Sequence, residues 1–463
     1  MESTLVASKR GLAVGLCTGV LAIAFEGMSV STAMPEAARE LGRVDLYAWI
    51  FSLFTIGMLF ATVVGGRIAD RHGPVAPLLA GLAAFTAGLL VAGFAPTMEV
   101  LLAGRLLQGL GSGSLNVGYA VLLAHAFDAT ERPRVMSWFS TAWVVPSLVG
   151  PPIAAFVTRL LSWHWVFFSV VPLLVLAVVV GGPAVARLPR SSLVGDHDPP
   201  ASGMPPRPVP VWAAVVAALA TAGLQWVGQS LAQPGLAATA TVAIAATVSV
   251  IGLGIAVPAL MPRRGTPGAG GGLLAPILAR ALVAGAFFGA SSFFPLLMVQ
   301  LYGWSLIAAG ATLTIGSVGW TTGAWVQSHR GLGLRRDQVL LLGTGAVVAG
   351  LAVLVAVPWT GWVWLSAVGW LVGGFGMGMC MASTALVVMI LSPPAEQGRN
   401  NAALQVGEAL GNSLLVGLAG TVYAWFAATS LPAAYGLLLV TMTAFSLLGV
   451  MSAARVTPVR DRG

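Results

Sequence analysis

The sequence predicts an all-α polytopic membrane protein with fourteen transmembrane helices. Of its 463 residues, 57% are hydrophobic and only 8% are charged, and the mean hydropathy is +0.90. A soluble domain needs more polar surface than this to cover its core. Apolar stretches of about 20 residues, the length that crosses about 30 Å of hydrocarbon, recur along the whole chain. The distribution of basic residues between the loops is a third, independent indication.

Each apolar stretch is interpreted as one membrane span, numbered in chain order. The fourteen spans fall near residues 11–33, 46–69, 75–95, 98–126, 135–158, 164–186, 211–232, 235–260, 274–301, 304–327, 337–357, 361–391, 401–427 and 431–453.

Two linkers divide the spans into groups of six, two and six. Residues 187–210 are rich in Pro, Ser and charge, and residues 261–273 are rich in Gly and Pro, so we expect both to be flexible. They separate an N-terminal six-helix bundle at 1–186, two additional helices at 211–260 and a C-terminal six-helix bundle at 274–463. Corresponding spans of the two bundles are offset by about 265 residues, as in transporters built from repeats.

The basic residues test the number and direction of the spans. With both termini cytoplasmic, the inside segments carry eighteen of the 23 Lys and Arg residues, and the outside loops carry only Arg39, Arg43 and Arg159. Arg105 and Arg280 lie within spans. The asymmetry follows the positive-inside rule, and removing one span would invert every later loop. Twelve spans, without spans 7 and 8, preserve the asymmetry and stay an alternative. We place the protein in a bacterial cytoplasmic (inner) membrane.

Three charged residues lie inside apolar spans: Glu26 in span 1, Arg105 in span 4 and Glu408 in span 13. A charge at the centre of a membrane helix costs at least about 2.5–3.5 kcal/mol on insertion scales, and such residues mark substrate pathways and proton relays. Glu26 and Arg105 fall at similar depth in the outer half. We expect Glu26 to take up and release a proton, with Arg105 biasing its charge state. Glu408, in the inner half, is either a second proton site or a contact for a cationic substrate.

Polar residues at helical spacing extend two of these charges into stripes. The stripe of span 4 is Arg105, Gln108, Ser112 and Asn116, and the stripe of span 13 is Asn401, Gln405, Glu408 and Asn412. Such stripes face a water-filled cavity or other helices rather than lipid. Hydrogen bonding between helices is the alternative role for the Asn and Gln side chains. Phe25 and Trp143 are candidates for lining an apolar substrate pocket, with packing or lipid contact as the alternative.

The segment after span 2 carries a recognisable pattern. Gly66 is followed four residues later by Asp70, then by Arg71 and Gly73. This segment resembles the cytoplasmic signature of the major facilitator superfamily. In that family the motif is interpreted as a conformational latch that holds the outward-facing state. The departure here is that Pro74 and Val75 replace the usual basic pair.

Three further segments resemble motifs of the same superfamily. They are Arg105–Gly111 in span 4, which includes Gly109; Pro146–Ala155 in span 5, which includes Gly150 and Pro151; and Trp163–Phe167 before span 6. The span 5 segment is similar to the motif of antiporters, but it has Pro146 and the Ala154–Ala155 pair where that motif has glycines. Gly150 and Pro151 are expected to interrupt and kink span 5. The arrangement of six, two and six spans resembles the fourteen-helix drug:proton antiporters.

The resemblance implies a proton-coupled secondary transporter that exports hydrophobic or amphipathic compounds by alternating access. A lipid or glycolipid exporter of the same fold, and a non-transporting membrane sensor, are the alternatives. We expect a monomer driven by the proton gradient, with the lipid bilayer and a small hydrophobic substrate as partners. No metal site, cofactor, nucleic-acid partner or enzymatic activity is expected, because no motif for them occurs. Cys17 and Cys380 both lie within spans, so no disulfide is expected.

Overall fold

The structure is a computed structural model, and it describes residues 2–127, 131–187, 210–232, 239–262, 272–328, 333–393 and 396–458. These residues form helices and connecting turns, with no strand among them. The predicted all-α class is therefore confirmed. The predicted linkers lie mostly outside the described residues, at 188–209 and 263–271.

Fourteen long helices account for most of the described chain. They are α1 (Glu2–Glu40), α2 (Tyr47–His72), α3 (Val75–Gly93), α4 (Met98–Ala126), α5 (Arg132–Leu160), α6 (Val171–Ala186), α7 (Val211–Leu231), α8 (Ala240–Leu260), α9 (Leu274–Tyr302), α10 (Leu306–Ser328), α11 (Arg336–Thr360), α12 (Leu365–Leu391), α13 (Gln397–Ala427) and α14 (Leu431–Ala453). A 3₁₀ turn, Val44–Leu46, leads into α2, and a short helix, His164–Phe168, precedes α6.

These helices correspond one to one with the fourteen predicted spans. Twelve of the described helical segments are long and apolar enough to cross a membrane by length and composition. The helices outside this set are α4 and α10, which are rich in glycine and hydroxyl or amide side chains. Both α7 and α8 meet the criterion. The alternative of twelve spans without this pair is therefore not favoured.

Two helices differ in detail from the prediction. Helix α1 extends to Glu40, because residues 34–40 contain mostly good helix formers and continue the helix beyond its apolar part. Helix α5 runs unbroken through Pro146, Pro151 and Pro152. The predicted interruption at Gly150 and Pro151 is therefore absent, since membrane helices tolerate Pro where neighbouring helices and local backbone adjustments satisfy the freed carbonyl groups.

The contacts of the chain group it into two compact units. The first comprises residues 1–46 and 57–200, and the second comprises residues 47–56 and 201–463. In the first unit α3 packs on α4, and α1 packs on α5 and α6. Glycines set these distances: a Cβ on Gly111 of α4 would lie 2.4 Å from the backbone nitrogen of Phe85 in α3. Small residues are what allow membrane helices to approach this closely.

The second unit includes the two additional helices. Helix α7 packs on α8 and on α13, and Gly228 of α7 lies so near Thr421 that a Cβ would fall 2.1 Å from its hydroxyl oxygen. The first residues of α2 also belong to this unit. Tyr47 donates a 2.8 Å hydrogen bond from its hydroxyl to the carbonyl oxygen of Ser292 in α9. Contact with α9 through this bond explains why these residues group with the second unit.

Candidate functional site

A buried ion pair joins α1 and α4 in the first unit. The Glu26 side chain is 0% exposed and the Arg105 side chain is 3% exposed. The Nη1 atom of Arg105 donates to Oε1 of Glu26 and, at 2.5 Å, to Oε1 of Gln108 one helical turn along α4. The structure therefore brings together the two charges whose depths matched in the sequence. Gln108, on the same helix as Arg105, accepts a second hydrogen bond from its guanidinium.

Two polar atoms of this cluster lack a hydrogen-bond partner among the described residues. They are Oε2 of Glu26 and Nε2 of Gln108, and both are buried. A buried acceptor without a donor carries its full desolvation cost. A proton on Oε2 would turn this oxygen into a donor and neutralise the carboxylate, and Arg105 would then be a buried cation without its counter-charge. The arrangement is therefore one in which proton binding has a direct structural consequence.

The surroundings of Glu26 on α1 involve α5. Ser29, also buried, lies with its hydroxyl 3.5 Å from the carbonyl oxygen of Gly150. A Cβ on Gly150 would lie 3.3 Å from Cβ of Met28, so glycine permits the close approach of α5 to α1 at this level. Phe25 is buried. Its role in lining a substrate pocket stays a prediction.

The other predicted residues of this unit differ in exposure. Gly109 and Pro151 are buried, whereas Asn116 is exposed, and Trp143 is 45% exposed. The stripe on α4 is thus buried around Arg105 and exposed at Asn116. Trp143 stays a candidate for substrate contact, since its ring is accessible.

A second ion pair links α9 and α13 in the second unit. Oε2 of Glu408 accepts from Nε of Arg280 at 2.8 Å and lies 2.6 Å from its Nη2. The Nη1 atom donates to the carbonyl oxygen of Met381 in α12 at 3.2 Å and to the hydroxyl of Thr384 at 3.4 Å. Arg280 thereby connects α9, α12 and α13.

Sequence reasoning did not assign a role to Arg280. A signal was present: Arg280 follows the start of α9 by six residues and Glu408 follows the start of α13 by eleven, and both helices start on the same predicted side. Opposite charges in the first half of two spans that start on the same side are a signal that could have paired them. Glu408 keeps 18% side-chain exposure, in contrast to Glu26.

The polar stripe on α13 changes exposure along its length. Asn401 and Gln405 are exposed, Glu408 is half-buried and Asn412 is buried. Among the described residues, Oδ1 of Asn412 has no hydrogen-bond partner. Polar groups at membrane depth face water or one another. The stripe is therefore a polar track that becomes more buried toward Asn412.

The loop motif after α2 has one clear conformational feature. Gly73 adopts φ = 77° at the end of α2, and its amide donates to the carbonyl oxygen of Ala69. This positive φ favours glycine. Asp70 and Arg71 are exposed, and a Cβ on Gly66 would meet no atom within 4 Å. No ion pair of Asp70 occurs among the described residues, so its latch role stays a prediction.

An exposed polar cluster lies at the opposite ends of the helices from this loop. Arg43 donates to Asp45 at 3.0 Å and to Glu99 at 2.9 Å. Its hydrogen bond with Asp45 raises the pKa of the Arg43 guanidinium. Glu40, three residues before Arg43 in the chain, accepts a 3.0 Å hydrogen bond from the indole of Trp163. These contacts tie the connections between helices together.

Two chemical features concern His, Cys and acidic side chains within the described residues. No group of three or more His, Cys, Asp or Glu residues is placed to hold a metal ion there. Cys17 and Cys380 are both free thiols.

The apolar helices, twelve of which are long enough to cross a membrane, define a multi-pass membrane protein. The family model described as Major Facilitator Superfamily matches residues 16–416. The chain therefore belongs to the major facilitator superfamily, as its motifs indicated. Members of this family are transporters, so the protein is a transporter and not an enzyme.

Curated relatives agree with this family. The chain is 27% identical over 470 residues to a "Probable multidrug-efflux transporter" of Mycobacterium tuberculosis, covering 98% of this chain and 95% of that protein. It is 30% identical over 167 residues to "Multidrug resistance protein 3" of Bacillus subtilis, covering 36% of this chain and 33% of that protein. The alignment with the second protein thus spans about a third of its length.

Solved structures support the fold. A structure described as an auto-inhibited POT family peptide transporter matches with a TM-score of 0.69 and 18% identity, over 98% of both chains. The human organic anion transporter MFSD10 matches with a TM-score of 0.58 and 14% identity, over 96% of this chain and 99% of that one. At these identities the similarity concerns the fold alone.

Proposed function

We propose that the protein exports hydrophobic or amphipathic compounds in exchange for protons, by alternating access. The buried pair of Glu26 and Arg105 is the observation that carries this proposal. Its carboxylate is removed from water, is held by one cation, and has a second oxygen without a donor among the described residues. The relatives described as multidrug-efflux and multidrug-resistance proteins support the substrate class.

Proton binding at Glu26 changes a link between two helices. When Glu26 is ionised, it attracts Arg105 and ties α1 to α4. When Oε2 is protonated, the net charge on the carboxyl group disappears and the attraction weakens, because a buried pair owes its strength to both charges. Proton uptake therefore loosens the α1–α4 link, and proton release restores it. A transport cycle can use this alternation to couple proton movement to helix movement.

The setting of this function follows from the charge pattern. The protein would lie in a bacterial cytoplasmic membrane with both termini in the cytoplasm, since the basic residues cluster on that side. It would work as a monomer, powered by the proton gradient and without a cofactor. Asp70 and Arg71 would serve as a latch in a part of the cycle in which they contact another helix.

Transport by purified protein in liposomes tests the proposal. Wild type, Glu26→Gln and the control Glu36→Gln are compared for accumulation of a cationic dye, a neutral dye and a fluorescent phospholipid under a pH gradient. Glu36 is a suitable control because it lies on the same helix, in an exposed pair with Arg39. We expect Glu26→Gln to lose gradient-driven accumulation while it still binds dye, and Glu36→Gln to resemble wild type.

Two results would contradict the proposal. Gradient-driven dye accumulation that persists in Glu26→Gln would exclude Glu26 as the coupling residue. Movement of the phospholipid alone, with neither dye transported, would favour a lipid exporter of the same fold.

A further inference from the structure

The second ion pair has a free acceptor that the proposed proton site does not use. Arg280 directs both Nε and Nη2 to Oε2 of Glu408, so Oε1 has no hydrogen bond among the described residues. Arg280 is itself fixed, because Nη1 is held by Met381 and Thr384 of α12. A carboxylate accepts at both oxygens. Oε1 therefore remains available as an acceptor on a side chain that is 18% exposed.

A second unpaired acceptor lies one helical turn along α13. Asn412 follows Glu408 by four residues, which places both side chains on the same face of the helix. Asn412 is only 7% exposed, and its Oδ1 has no hydrogen-bond partner in the described part of the chain. A buried carbonyl oxygen without a donor is costly. Among the described residues, this face of α13 thus presents two oxygen acceptors to which no group donates.

The charge of the pair determines which ligand suits these acceptors. Arg280 already compensates much of the Glu408 charge, so a bare positive charge gains little from approaching the pair. A cation that also carries N–H groups gains more, because a hydrogen bond to an ionised acceptor is about twice as strong as a neutral one. Exposed Asn401 and Gln405 continue the same polar track toward the end of α13 where the helix starts.

We propose that Oε1 of Glu408 and Oδ1 of Asn412 form a binding site for the N–H-bearing cationic group of an amphipathic substrate, namely a protonated amine, amidine or guanidinium. This site rests on the proposed export function and specifies its substrate class. Arg280 is a positioning residue that holds the carboxylate and does not contact the ligand. A quaternary ammonium group lacks N–H donors and is bound less well.

A matched set of probes tests this selectivity. The probes are a dansyl fluorophore carried on an alkyl chain that ends in a primary amine, the N-trimethyl derivative and the neutral N-acetyl derivative. Binding to full-length protein in detergent is measured by equilibrium dialysis. We expect wild type to bind the primary amine at least about tenfold more tightly than either derivative, the ratio that one charge-assisted hydrogen bond supplies.

Variants identify the residues responsible. Glu408→Gln should remove the preference for the primary amine and leave affinity for the N-acetyl derivative unchanged, and Asn412→Leu should reduce the preference. Because Glu408→Gln leaves Arg280 without its counter-charge, the double variant Arg280→Gln/Glu408→Gln is a second test that keeps the site neutral. Each variant is checked by size-exclusion chromatography and thermal unfolding before binding is measured.

The Glu26→Gln variant separates this inference from the proposed function. It should keep the preference for the primary amine while losing gradient-driven transport. Equal binding of the three probes by wild type, or an undiminished preference in folded Glu408→Gln and in the double variant, would overturn the site. Persistent gradient-driven transport in Glu26→Gln, together with a preference that depends on Glu408, would overturn the coupling role alone.

Discussion

Replacing Arg105 by Met should destabilise the protein strongly. Met matches the Arg side chain as far as Nε, so the substitution removes the charged end of the guanidinium and keeps the packing of the aliphatic stem. Glu26 is then a buried carboxylate without its cation, and Gln108 loses the donor that its Oε1 accepts. The structure has no other donor to Oε1 or Oε2 of Glu26 among the described residues.

The magnitude follows from burial. Both side chains of the pair are almost fully inaccessible, at 0% and 3%, which places it among buried pairs. Removing one partner of such a pair costs about 3–5 kcal/mol. With about 2–4 °C per kcal/mol for a unit of 150–250 residues, the unfolding midpoint should fall by about 6–20 °C. The double variant Glu26→Gln/Arg105→Met should recover most of this loss, because neither charge remains.

Thermal unfolding of purified protein in detergent, followed by tryptophan fluorescence, measures these shifts. Arg43→Met is the matched control, because Arg43 also pairs with carboxylates but is 44% exposed. Exposed pairs contribute little to stability, so its midpoint should stay near that of wild type. A shift for Arg105→Met no larger than for Arg43→Met would refute the reasoning, as would a double variant less stable than Arg105→Met.

Three further predictions concern packing, the latch and topology. Gly88→Ala should lower stability by about 1–3 kcal/mol, because its Cβ would lie 2.6 Å from the backbone nitrogen of Gln108. Gly27→Ala meets nothing within 4 Å and should not lower the unfolding midpoint, because Ala is the better helix former. Asp70→Asn should reduce transport in liposomes without lowering the unfolding midpoint, because Asp70 is exposed. In a variant without native cysteines, a membrane-impermeant maleimide should label Thr97→Cys in intact cells and His72→Cys only after lysis; the reverse pattern would invert the topology.

The sequence predicted the helices and one of the two ion pairs for physical reasons. Hydrocarbon thickness fixes the length of a membrane helix, so apolar stretches gave all fourteen helices. Glu26 and Arg105 were paired because they lie at similar depth along their spans. The second pair was missed because depth alone does not show which helices are neighbours. The packing of α9 against α13, which brings Arg280 to Glu408, depends on glycines such as Gly411.

Helical spacing also could not predict which of the site residues are exposed. The stripe on α4 places Gln108 and Asn116 on one face, yet the first is buried and the second is exposed. Spacing identifies a face of a helix, whereas burial depends on what covers each turn of that face. Phe25 is buried and Trp143 is accessible for the same reason. Their different surroundings arise from tertiary packing, which a single sequence does not encode in any local pattern.

Glycine packing and the charged site form one connected arrangement in the first unit. Gly88 of α3 makes room for Gln108, because any side chain there would meet the Gln108 backbone and Cγ. Gln108 accepts from Arg105, and Arg105 donates to Glu26. Close approach of α3 to α4 therefore places Gln108 beside the pair, and the pair itself is almost fully excluded from water. Without that exclusion the carboxylate would be hydrated in both charge states, and its proton would no longer decide whether α1 and α4 are tied together.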